Sequence, residues 1–388
     1  MKKYVIFFII PLLALILIPH NVVYALDDVE QLHTTIDEQI DSIKFEDMDE
    51  ILNQLENQYS SVGEGSFKDK VKSILNGTYY DDYGSLFTSI ISLGLNELKS
   101  FIPTILIVLC IAILSCIIGS FKSSKSDGIG SISHFACYGL IIMLIAVTMR
   151  KVCAITSDAL SGMQTQMNIL FPILLTLMTA VGGVASVGIY TPVVSVLTNI
   201  VSLLFGKIMY PIFIISFIFV VLGHLTDTVK LKKFTGFLSS AFKWMVGIIF
   251  TLFSGLLTIQ GISAGKADGV RIKLTKFTIK SYIPIIGSYI SEGMDMIVLS
   301  SMLIKNAVGL VGLIMLLFSI ISPIITIVVF KLCLKLCAGL VEPLGNSKIS
   351  SFLDDCSNVL IYPIVILIAI AFMYMITISL IISTANVL

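Results

Sequence analysis

The sequence predicts an all-α fold: a polytopic helical integral membrane protein with a cleaved signal peptide and a small helical extracytoplasmic N-terminal region. Three observations carry this. Of 388 residues, 56% are apolar and 13% charged, with a mean hydropathy of +0.99, against roughly 25% charged residues in an ordinary soluble domain. Apolar runs of membrane-crossing length recur from residue 101 onward. Charge is segregated, too: residues 26–98 hold 16 acids and 4 bases, whereas 99–388 hold 9 acids and 19 bases. Two unlike parts therefore join near residue 100.

Residues 1–25 read as the signal peptide: Lys2 and Lys3, an apolar run from Tyr4 to Ile18, a break at Pro19, and Val23-Tyr24-Ala25 before the acidic stretch. The same residues also fit an uncleaved anchor, and either reading leaves residues 26–98 outside the cytoplasm. There Val29, Leu32, Ile36, Ile40 and Ile43, and then Phe45, Met48, Leu52, Leu55 and Tyr59, recur every third or fourth residue. Such spacing predicts two amphipathic helices. Residues 61–66 form a turn, and Phe67, Val71, Ile74 and Leu75 open a shorter helix that stops at Asn76-Gly77. This acidic region is either a small domain resting on the membrane part or a docking arm for a partner.

The membrane domain, residues 99–388, is expected to cross six to eight times, with spans near 101–121, 132–149, 169–190, 193–225, 244–262, 307–330 and 359–382. Helix breaks are expected at Gly182, Gly183, Pro192 and Pro211. The 193–225 stretch is too long for one straight span and too short for two, so it is either discontinuous or an ordinary span containing Gly and Pro. Basic groups flank 244–262 on both sides, Lys230, Lys232, Lys233 and Lys243 before it and Lys266, Arg271, Lys273, Lys276 and Lys280 after it. Either that segment is re-entrant or the positive-inside rule fails here.

Residues 284–303 are expected to form an amphipathic helix. Ser288, Ser291, Glu292 and Asp295 stand at i, i+3, i+4 and i+7, so they share one face. A charge at mid-bilayer costs roughly 2.5–3.5 kcal/mol on insertion scales, so two carboxylates do not face lipid. With Lys305 they form either a structural ion-pair group or the lining of a lumen.

The chemistry that is missing narrows the function classes. The four histidines show no H-E-x-x-H spacing, and no G-x-x-x-x-G-K-[ST] phosphate loop occurs. No converging catalytic set is assembled, so an enzyme is not expected, nor a cofactor. Cys333 and Cys337 stand one helical turn apart without a third ligand nearby, and read as buried thiols rather than a metal site. A basic, aromatic-interleaved domain is absent, which removes nucleic acid as a partner and leaves the lipid bilayer.

One stretch resembles a known family. The positions Gln260-Gly261, Ser263, Asp268-Gly269, Lys276-Phe277, Ile283-Pro284 with Gly287, and Lys305-Asn306 with Gly309 match the pattern of the stage III sporulation protein AE family of endospore-forming Firmicutes. The Gly182-Gly183 break and Pro343-Leu344-Gly345 match as well, while Glu342 stands where that pattern has Gln. The resemblance implies a protein of the mother-cell membrane around the forespore, the outer forespore membrane. It implies partners: other stage III sporulation A-type proteins, among them a cytoplasmic ATPase and ring-forming membrane proteins, and indirectly a forespore membrane protein. The implied function is a membrane subunit of a channel or feeding complex, secretion-like, needed for late forespore gene expression. The other reading of the residues is a stand-alone secondary transporter with Glu292, Asp295 and Lys305 in its pathway.

Overall fold

The computed structural model describes residues 29–58, 65–78, 83–120, 127–225, 231–263, 286–344 and 347–384, together with the single position Leu274. The signal-peptide residues 1–25 lie outside that set. Every regular element among the described residues is helical. In chain order they are α1 (Val29–Ser42), α2 (Glu46–Gln58), α3 (Phe67–Leu75), α4 (Tyr83–Ser120), α5 (Asp127–Ala180), α6 (Val184–Val201), a π-helical segment Ser202–Met209, α7 (Tyr210–Leu225), α8 (Lys232–Ser263), α9 (Ile286–Val341), a short 3-10 turn Glu342–Leu344, α10 (Ser347–Val359) and α11 (Ile361–Ser383).

The three N-terminal helices follow the apolar spacing closely. Leu32, Ile36, Ile40, Phe45, Met48, Leu52, Leu55, Phe67 and Val71 are all buried. α3 starts on a reciprocal capping box in which Ser66 Oγ accepts from the Asp69 N–H and Asp69 Oδ2 accepts from the Ser66 N–H at 3.0 Å. It ends at Asn76, followed by Gly77 at a φ of 70°, where a residue without Cβ carries no steric penalty. Asp49 Oδ1 accepts from the Phe67 N–H at 2.6 Å, and the Phe45 and Phe67 rings lie 5.1 Å apart, so α2 and α3 are stitched together. Lys68 pairs with Asp41 and Lys72 with Asp37, both at 2.5 Å. The unit packs on α9 and α5, and Ser301 Oγ donates to Gln39 Oε1 at 3.0 Å.

Among the described residues, six helical stretches are long and apolar enough to cross a membrane: Ile90–Ile118, Phe135–Ala180, Val184–Leu225, Lys233–Thr258, Gly293–Leu344 and Ser347–Ser383. Two of them join what the hydropathy pattern separates. The expected span 132–149 and the first part of 169–190, as far as Ala180, lie in the single helix α5, because 150–168 contains no proline and its Ala, Met and Gln residues extend a helix at little cost, while 184–190 open α6. At 1.5 Å per residue α5 is about 81 Å long, far more than a hydrocarbon core of about 30 Å. Residues 286–303 of the expected amphipathic segment and the 307–330 span likewise lie in one helix, α9, which runs through Pro323 and is about 84 Å long.

The expected breaks divide. Gly182 sits at a φ of 90° in the turn between α5 and α6, so the chain reverses there. Pro192 lies inside α6, and Pro211 is the second residue of α7, directly after the π-helical segment. Helical backbone thus continues from 184 to 225, and its irregularity is a change of winding at Gly206-Lys207 rather than a gap. α8 is uninterrupted from Lys232 to Ser263, and its Phe242 and Phe250 rings lie on Tyr362 and Phe372 of α11 at 4.5 and 5.9 Å. It is one helix, not a re-entrant hairpin.

α9 is the axis of the molecule. From residue 298 to 331 none of its residues is exposed, and α4, α5, α10 and α11 surround it. Gly309 and Gly312 let neighbours approach: a Cβ at Gly309 would overlap Ile382, and one at Gly312 would overlap Leu170. Small residues serve this purpose wherever membrane helices cross closely.

Candidate functional site

Polar groups inside the apolar part converge where α5, α6, α9 and α11 meet. Lys305 is fully buried. Its Nζ donates to the Thr384 carbonyl at 2.5 Å, one of the C-terminal carbonyls of α11 that no intrahelical N–H reaches. The cation also complements the negative end of that helix. Thr384 Oγ1 donates to the Leu380 carbonyl at 2.7 Å and takes a 2.8 Å bond from the Tyr190 hydroxyl of α6. Two turns along α9, the buried Gln166 of α5 donates through Nε2 to the Gly312 carbonyl at 3.0 Å. The bonds of Lys305, Tyr190 and Gln166 each join a side chain of one helix to a neighbour, so the group ties four helices together.

The residues singled out in the sequence distribute around this knot. Lys305 and Gly309 are at its centre, and Asn306 is half-buried beside them. Asp295 is half-buried on α9, but the helical rise sets it about 15 Å from Lys305 along the axis, beyond direct pairing. Gly287, Ser288, Ser291 and Glu292 lie in the first two turns of α9, described as backbone alone; Gln260, Gly261 and Ser263 form the last turn of α8. Asp268, Gly269, Lys276, Phe277 and Pro284 lie outside the described residues.

Tyr190, Thr384, Gln166 and Gly312 are absent from the sequence-based expectation. The signal for them was indirect: a lysine inside an apolar helix requires an acceptor, and the free carbonyls at the end of the last apolar helix are the richest supply. Among the described residues no group of three or more His, Cys, Asp or Glu side chains gathers to hold a metal. Cys333, Cys337 and Cys356 are buried free thiols.

Lys305 and Gly309 at this crossing are also positions of the resembled family pattern, as is the Gly182 turn between α5 and α6, and the chain matches that family, stage III sporulation protein AE, over residues 65–385. The chain belongs to the stage III sporulation protein AE family. The stage III sporulation protein AE of Bacillus subtilis (strain 168) is 25% identical over 349 residues, covering 89% of this chain and 87% of that protein. No solved structure matches. The family match begins at Gly65, one residue before the α3 capping box, so α3 and every later helix fall within it. α1 and α2 precede it.

Proposed function

We propose that this family member is a membrane subunit of the mother-cell-to-forespore channel or feeding complex, a secretion-like assembly required for late forespore gene expression and endospore formation. The observation that carries the reading is the match to a sporulation family over residues 65–385, joined to a fold with six apolar helices. In this reading the protein resides in the mother-cell membrane around the forespore, with residues 26–98 on the extracytoplasmic side. Its partners are other stage III sporulation A-type proteins, including a cytoplasmic ATPase and ring-forming membrane proteins, and through them a forespore membrane protein.

The architecture is consistent with a subunit. Lys305 serves as a bond between helices, which supports a scaffold more than a solute pathway. The N-terminal helices rest on α9 near Ser301, and the C-terminal end of α11 meets α9 at Lys305, one turn away. The acidic helices and the end of α11 therefore flank the same stretch of α9, and α1–α3 present Asp37, Glu38, Asp41, Glu46 and Asp47 outward on the side that would face the space between the two membranes.

The test is deletion of the gene in its host, with a fluorescent fusion reporting position. Normal vegetative growth, a signal around the engulfed forespore and developmental arrest after engulfment are expected. A growth defect in cells that never sporulate, with signal over the whole cell membrane, would replace this reading with a general transporter.

A further inference from the structure

One face of α5 is exposed from end to end, and its character changes half-way. Ala136, Leu140, Met143 and Val147 lie on it first, with Leu140, Met143 and Val147 54%, 66% and 65% exposed. At spacings of three and four the same face continues through Arg150, Ala154, Asp158, Ser161, Thr165, Asn168, Pro172, Thr176 and Thr179, all exposed. Bulky aliphatic side chains suit hydrocarbon, whereas a face bearing Asp and Asn does not. The change falls at Arg150 and Lys151, both exposed.

That level is marked on the neighbouring helices as well. Lys151 Nζ lies 5.4 Å over the Phe101 ring of α4, and Phe101 stacks on Phe330 of α9 at 5.0 Å. Lys99 and Lys331 adjoin those two phenylalanines. The Tyr210 hydroxyl donates to the Cys153 carbonyl at 2.9 Å, which brings Lys207, one turn before Tyr210, to the same height. On α8, Lys243 follows Phe242, whose ring stacks on Tyr362 at 4.5 Å. Tyr362 lies about 30 Å down α11 from Ile382, and Lys331 about 33 Å down α9 from Gly309, the pair that abut at the crossing. Trp244 follows Lys243; it is the only tryptophan of the chain and is 74% exposed. Exposed Trp and snorkelling Lys or Arg gather at membrane–water interfaces.

We infer that Lys99, Arg150, Lys151, Lys207, Lys243 and Lys331, brought to one level by five helices beside the exposed Trp244, form a cationic collar that binds the phosphates of acidic phospholipid headgroups. Apolar side chains are exposed on both sides of this collar: the α4 face Ile102, Leu106, Ile113 and Leu114 with Leu140, Met143 and Val147 of α5 on one, and Leu203 of the π-helical segment with Ile248 and Leu252 of α8 on the other. Competing carboxylates are few. Glu97 lies one turn from Phe101 on α4, Asp158 two turns from Lys151 on α5, and Asp354 faces Lys335 at 3.9 Å, one turn below Lys331. None is within ion-pair distance of the six cations among the described residues. The inference holds whichever complex the chain serves.

Trp244 provides the assay without any mutation. The purified full chain is reconstituted in phosphatidylcholine vesicles in which lipids carry bromine either high on the acyl chain or near its methyl end. Quenching of Trp244 by the shallow bromines is expected to exceed that by the deep ones. Substituting brominated phosphatidylglycerol then gives a relative affinity, expected to be about tenfold or more in favour of the anionic lipid. The preference should vanish in about 1 M NaCl and fall to near one in the combined variant Arg150→Gln, Lys151→Gln, Lys207→Gln, Lys331→Gln. It should persist when the three lysines become arginine. Equal affinity for the two lipids, a salt-resistant preference in the native chain, or strongest quenching from the deep position would overturn the collar. Abolition of the preference by inorganic phosphate at constant ionic strength would assign these cations to a soluble anion instead.

Discussion

The N-terminal helices and the axial helix α9 meet at Gln39 and Ser301, yet they are held by opposite means. α1–α3 form a thin seam of apolar side chains secured at the edges by exposed ion pairs, a capping box and one backbone-to-carboxylate bond. α9 is enclosed over its middle by other helices, and its order comes from glycine-permitted contact and a few buried side-chain-to-carbonyl bonds. In the first region each polar contact adds little, since exposed pairs contribute about 0–1 kcal/mol. In the second each is costly to remove, because a buried partner is left unsatisfied. Perturbations of the axis should therefore be felt by the whole molecule, and those of the N-terminal unit should stay local.

The largest effect is expected at the crossing. Gly312→Leu drives a side chain into Leu170 and disturbs the Gln166 bond, at about 3 kcal/mol of overpacking; most of the protein should be lost from the folded peak in gel filtration. Gly247→Leu on α8, where nothing lies within 4 Å of a new Cβ, should elute and melt like the native chain. If both variants behave alike, close packing at Gly312 is not what holds the axis. Next, Lys305→Met keeps the volume but leaves the Thr384 carbonyl without its donor, at about 1–3 kcal/mol. Amide exchange should accelerate at residues 380–384 and remain unchanged in α3.

Smaller effects belong to the N-terminal unit. Ser66→Ala removes the capping box, with an expected cost of about 1 kcal/mol, read as faster proteolysis between α2 and α3 with unaltered melting of the membrane part. The smallest is a pH effect. The Lys68 ammonium holds Asp41 below the ordinary carboxylate value, the Ser66 hydroxyl and N–H do the same for Asp69, and Asp37 raises Lys72. Depressed carboxylate values contribute stability above the unfolded value of 3.8, and it is lost as the pH falls through the folded values. The raised Lys72 contributes below 10.5 and ceases to do so as the pH rises through its folded value. Protection of α1–α3 from protease should decline at both extremes.

The same contrast explains what was legible in the sequence. Val29 to Leu75 alternates polar and apolar residues at helical spacing, so both the helices and their buried faces could be read directly. In α5 and α9 nearly every position is apolar, and hydropathy then reports where charge occurs, not where helices end. Arg150 to Asn168 looks like a loop between two spans because it is polar, yet nothing in it interrupts a helix. Lys305 and Gly309 were visible as an odd lysine and a motif glycine. Their partners Thr384, Tyr190 and Ile382 are distant in sequence and ordinary in type, so only the fold brings them forward. The reverse failure occurs at Pro192, where a residue that disfavours helix interiors is tolerated inside α6.

The N-terminal helices are seated on α9 through the Gln39–Ser301 contact rather than extended as a free arm. A cysteine pair, Gln39→Cys with Ser301→Cys, in a chain whose seven native cysteines are replaced by serine or alanine, tests this in reconstituted vesicles. Rapid and nearly complete oxidative cross-linking, absent from either single variant, is the expected result. Free labelling of both thiols by a water-soluble maleimide, without cross-link formation, would contradict it.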